Sequence, residues 1–139
     1  MYQRDYILRL IEEFGNFLRH ILRLRSEQNY VQAQEQLNYA GEKLLRVDLE
    51  QVASDEECLR NILKAGSLEV RQLDLLAEML IIKGETYRES GSMFSAIRSF
   101  EHALIVFERN EELSTDYSLP RIEKMKEIRL QLTQLREVP

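Results

Sequence analysis

The feature that most narrows what this chain can fold into is how seldom its backbone is interrupted. Only two prolines, Pro120 and Pro139, and five glycines occur in 139 residues. Breaks between elements must therefore be few and far apart. Between the breaks, apolar residues recur every three or four positions, the spacing of one helix face. No stretch alternates with the period of two that a half-buried strand needs, and there is no Asn-Gly or Asp-Gly turn. With 44% hydrophobic and 31% charged residues the balance is that of a chain able to bury a core. The expectation is a single all-α domain over residues 1–139, with about six helices in antiparallel hairpins.

The first helix is expected over about residues 4–25. Stepped at 100° per residue, Tyr6, Ile7, Leu8, Leu10, Ile11, Phe14, Phe17, Leu18, Ile21, Leu22 and Leu24 cover an arc of roughly 200°. Asp5, Arg9, Glu12, Glu13, Arg19 and Arg23 occupy the remainder. One core needs a stripe of only about 100°. The surplus predicts a second contact, and Leu8, Ile11, Leu18 and Leu22 are the candidate interface of a homodimer.

A second helix is expected over 30–47, then a loop over 48–53. Ser54 opens a short third helix with capping-box spacing to Glu57, closed at Gly66. Ser67 is positioned to cap a fourth helix over about 68–90. That helix is apolar over most of its circumference and carries one narrow polar stripe: Arg71, Asp74, Glu78, Glu85 and Glu89. A fifth helix follows over 92–110, and a polar loop over 111–118. A terminal capping helix over 119–138 has Pro120 in its first turn, where the missing N–H is harmless. Ile122, Met125, Ile128, Leu132 and Leu135 form its buried stripe. Its other side, with Arg121, Lys124, Lys126, Arg129 and Arg136 among Glu123, Glu127 and Glu137, is expected to face water.

Within this pattern, residues 77–110 carry a distinctive spacing. Gly84 precedes Tyr87 by three residues; Ala96 follows nine later, then Phe100 and Ala103. Small residues at the crossing let two helices approach, and the aromatics fill the space beside them. The stretch resembles a tetratricopeptide repeat, a helix–turn–helix unit of about 34 residues with this order of Gly, aromatic, Ala and Phe. It departs from the family at Leu80, where Trp is common, at Lys83, where Leu is usual, and at Glu108, where Pro often closes the unit. A weaker echo covers 14–47, through Tyr30, Ala33, Leu37 and Ala40, with Ile21 and Leu24 in place of the Gly–aromatic pair. Ala33 and Ala96 lie 63 positions apart (96 − 33), short of two repeat steps of about 34. The expectation is thus a compact, tetratricopeptide-like right-handed bundle, not a regular superhelix. The opening residues Asp5 to Ile11 also resemble the start of a bacterial family of unknown function, which implies no activity.

Catalytic chemistry is sparse. His20 and His102 have Phe17 and Ser99 three residues before them, so neither completes the Glu-x-x-His pair of a di-iron bundle. Cys58 is the lone cysteine, is expected as a small apolar side chain, and fits a reducing compartment. Phosphate-loop and nucleophile-elbow patterns are absent. No metal, cofactor or catalytic residue is expected. Net charge is −5, distributed as +2 over 1–25, −6 over 26–80 and −1 over 81–139, which disfavours nucleic acid. Charges interrupt the apolar part of the first helix, so neither a secretory segment nor a membrane span is expected, and the chain is assigned to the cytoplasm.

The resemblance implies that the first helix of the 77–110 hairpin lines a concave groove. Its groove positions would be Glu78, Ile81, Glu85, Arg88 and Glu89, and three acids in five favour a basic or mixed polypeptide over a terminal carboxylate. The function expected is a non-catalytic, self-associating protein-interaction module. The alternative is a small-molecule-binding protein or enzyme using Asp74, Glu78 or Glu85 as helix-borne carboxylates.

Overall fold

The computed structural model describes residues 2–137, and side chains from residue 4. All regular structure among these residues is helical: α1 Tyr2–Ser26, α2 Tyr30–Leu45, α3 Leu49–Ser54, α4 Glu56–Ala65, α5 Val70–Glu89, α6 Met93–Leu113 and α7 Leu119–Arg136. Val138, the expected end of the terminal helix, lies outside the described residues.

The seventh helix comes from residues 48–53, which were expected to loop. Asp48 caps α3 through Oδ1, which accepts from the Gln51 N–H at 3.1 Å. Leu49, Val52 and Ala53 are buried, so the short turn is fixed by packing as much as by its cap. That displaces the expected cap of the next helix. Asp55, not Ser54, accepts from the Cys58 N–H at 3.2 Å, while the Ser54 hydroxyl donates back to the Glu50 carbonyl at 2.9 Å. Glu69, not Ser67, stands at the N-cap of α5, and its N–H donates to the Gln72 side chain at 3.0 Å. α2 stops at Leu45 because Arg46 adopts φ 57° and ψ 41°, a left-handed residue that ends a helix. α6 runs one turn past Asn110, which is fully buried.

Two long hairpins carry the fold. α1 pairs with α2 and α5 with α6; α2 packs against α5, and α6 against α7. The second helix of each hairpin thus seats the first helix of the next unit. α3 and α4 fill the space beside α2 and α6. His102 secures this insertion: its buried Nδ1 donates to the Val52 carbonyl at 2.8 Å.

The α5–α6 crossing follows the small-residue logic of the sequence. A Cβ added to Gly84 would lie 2.7 Å from Cε1 of Phe100, closer than carbon atoms tolerate. Ala96, Phe100 and Ala103 are fully buried beside it. Gly91 makes the turn between the two helices at φ 88°, where a side chain would be strained. In the first hairpin Ile21, Ala33, Leu37 and Ala40 are likewise fully buried. No helix among the described residues is long and apolar enough to cross a membrane.

Candidate functional site: the polar face of the central helix

α5 lies between its neighbours with one strip uncovered. Leu73, Leu76, Met79, Leu80 and Ile82 bury the rest of its circumference. The residues left on the strip are Asp74, Glu78, Ile81, Glu85 and Arg88, all half-buried, with Glu89 more exposed at its end. They form a floor flanked by two other helices. From α1, Arg25 pairs with Glu89 and reaches Glu85 at 3.7 Å. From α7, Lys124 pairs with Glu78, and Gln131 accepts from Arg88 at 3.2 Å.

The carboxylates of the narrow polar stripe are thus tied to α1 and α7. The five proposed groove positions share one face: Glu78, Glu85 and Arg88 are half-buried, Glu89 is exposed, and Ile81 packs partly on the core. Asp74 is set apart at the end of the strip. It accepts from Nε of Arg121 at 2.9 Å and from a terminal guanidinium nitrogen at 3.0 Å. The Asn110 amide adds a third donor at 2.7 Å, and Glu111 takes another Arg121 nitrogen at 2.8 Å. This bidentate knot joins the start of α5, the end of α6 and the start of α7. Arg121, expected on the water-facing side of the terminal helix, is buried.

The electrostatics of the strip are uneven. Burial raises the Glu85 carboxyl above its ordinary pKa; Arg25 opposes the shift, while Glu127, Glu78 and Glu89 reinforce it. Glu127 belongs to α7, so acids from two helices act on one side chain. Burial, together with this crowding of acids, leaves the Glu85 charge incompletely compensated by Arg25, whereas Asp74 and Glu78 have Arg121 and Lys124 as partners.

On α1, Leu8 is 53%, Ile11 51% and Leu22 47% exposed. Leu18 is different: it is partly buried and packs on the core. The surplus apolar surface expected on this helix is present, with Leu18 at its inner margin.

One charged cluster escaped the sequence reading. Lys83, noted only as a departure from the repeat, is fully buried. Its ammonium donates to Glu50 at 2.7 Å and to the side-chain oxygens of Gln34 and Asn38 at 2.9 Å each. The Tyr87 hydroxyl donates to the other Glu50 oxygen at 2.9 Å. Burial pushes Lys83 below the ordinary lysine pKa, and Glu50 pulls it back. Glu50 is itself pushed up by burial, yet Lys83, Tyr87 and Asn38 hold it below the usual value. The visible signal was a lysine in the apolar arc of a central helix; the partners, 33 to 49 residues away, gave none. The network joins α2, α3 and α5.

Comparison with protein-family models, curated proteins and solved structures finds no match to this chain.

Proposed function

We propose that this chain is a non-catalytic, tetratricopeptide-like interaction module that self-associates and uses its α5 strip to receive a basic polypeptide. The observation that carries the reading is Glu85, half-buried among Glu78, Glu89 and Glu127 with Arg25 as its ion-pair partner at 3.7 Å. The chaining of α2 onto α5 and α6 onto α7 supports the repeat resemblance. So does the tight Gly84–Phe100 approach. The half-exposed Leu8, Ile11 and Leu22 support self-association. Use of the acids as an enzyme's acid and base is less favoured, because Asp74, Glu78 and Glu85 each have a basic partner in the fold.

The test is a titration with two fluorescent model helices, one of Leu and Lys and one of Leu and Glu. The Leu/Lys helix is expected to bind, and Glu85→Lys to weaken it by about tenfold. Equal binding of both helices, or none, would count against the strip as a receiving surface.

A further inference from the structure

The apolar stripe of α1 and the acidic strip of α5 adjoin one another. Arg25 fixes their relation, since it is the α1 residue that meets Glu85 and Glu89. Stepped round the helix, Leu18, Ile11 and Leu22 follow Arg25 by about 20°, 40° and 60° on the side away from the buried arc. Exposed apolar surface on α1 therefore begins where the contact with α5 ends. The two form one groove, with an apolar wall and an acidic floor.

The chemistry that fits such a groove is an apolar helix flanked by cations. α1 is itself such a helix. Beyond Leu8 its surface turns to Arg19 and Arg23, with Glu12 between them about two turns nearer the N-terminus, and among the described residues neither arginine forms an ion pair. Residues 1–25 carry five arginines against three acids. We propose that the groove is occupied by α1 of a second copy. A two-fold pair lays α1 beside α1 and sets Arg19 and Arg23 of each copy against Glu78 and Glu85 of the other. This rests on the interaction-module reading and names its partner.

The direction of the pair follows from the same geometry. Arg25 brings the C-terminal ends of α1 and α5 side by side. With the two α1 helices parallel, the α5 helices fall on opposite sides of the α1 pair. Arg19 and Arg23, six and two residues before Arg25, then stand level with the Glu78–Glu85 stretch of the other copy. An antiparallel pair would put both α5 helices on one side, acid against acid.

The experiment uses the full chain in two variants, Arg19→Glu with Arg23→Glu, and Glu78→Lys with Glu85→Lys. Sedimentation velocity is expected to show self-association weakened at least about tenfold in each variant alone and restored in their equimolar mixture. Restoration by mixing requires that the charges meet between copies, and it also shows that both variants fold. In a Cys58→Ser background, Leu22→Cys is expected to give a disulfide-linked dimer, because the parallel pair brings the two copies of position 22 together. A wild-type chain that stays monomeric yet binds the Leu/Lys helix would overturn the second copy as occupant, and self-association with it, and leave the α5 strip standing as a surface for a basic polypeptide. A monomer that binds neither would remove both. A dimer indifferent to the charge variants, or one linking Leu8→Cys to Leu22→Cys instead, would overturn the proposed arrangement alone.

Discussion

Lys83 and Glu50 form a pair with unequal burial, and the inequality sets what each substitution costs. The Lys83 side chain is wholly buried, whereas that of Glu50 is 55% exposed. Removing the carboxylate leaves an ammonium with only two amide oxygens; removing the ammonium leaves a carboxylate that water can reach. Glu50→Ala is therefore expected to cost about 3 kcal/mol, and Lys83→Met less than about half of that, as read from urea midpoints. The pH dependence has a definite sign. Glu50 lies below its unfolded value of 4.5 when folded. Its stabilisation is complete above the unfolded pKa and is lost as pH falls through the lower folded one. The acid limb of the stability curve should flatten in Lys83→Met. Glu85 behaves oppositely. Its folded pKa is raised, so its contribution is full below the unfolded pKa and is lost as pH rises through the folded one. Glu85→Gln is expected to stabilise the free chain at neutral pH by about 0.5 kcal/mol, a modest figure because the group is partly screened by solvent. The same change should weaken partner binding. A residue that lowers stability while improving binding marks a working surface.

Among the elements, the hairpins were legible and their joints were not. Apolar periodicity placed α1, α2, α5, α6 and α7, because each presents a continuous buried stripe. The close approach at Gly84 was legible from residue size alone. A substitution separates it from a second glycine of the same helix-interior kind. A Cβ at Gly84 would collide with Phe100, whereas one at Gly15 would meet nothing within 4 Å. Gly84→Ala is expected to lower stability by about 1–3 kcal/mol through overpacking, and Gly15→Ala to raise it by up to about 1 kcal/mol in the dissociated chain. Thermal unfolding of both variants would check the contrast. α3 escaped notice because a six-residue helix leaves too short a period to detect, and tertiary burial of Leu49 and Val52 decides it. The caps were misplaced by one or two residues because Ser54, Asp55, Ser67 and Glu69 all offer side-chain acceptors. Which of them is used depends on where the flanking helices must point.

At the level of the whole molecule, α5 is the axis of the structure. It contacts α1, α2 and α6 through its buried sides, and its strip is tied to α7 by Arg121 and Lys124. Amide hydrogen exchange is expected to be slowest in α5, approaching the global unfolding limit, and fastest in the first turns of α1 and the segment 114–118. A most-protected helix elsewhere would contradict the packing order. The candidate site shows how far a sequence reaches at this scale. Its five positions share a face because helical periodicity is local. Their partners Arg25 and Lys124 come from helices far along the chain, and no spacing rule links them. The partners of the buried lysine were illegible for the same reason, and its isolation has a practical side. The chain has five lysines; Lys43, Lys64, Lys124 and Lys126 stand open to solvent to differing degrees, and Lys83 is sealed. An amine-acylating reagent should therefore mark four positions at once and the fifth only when α2, α3 and α5 part. Mass spectrometry of Lys83 acylation over time would turn that side chain into a built-in clock for the breathing of the core.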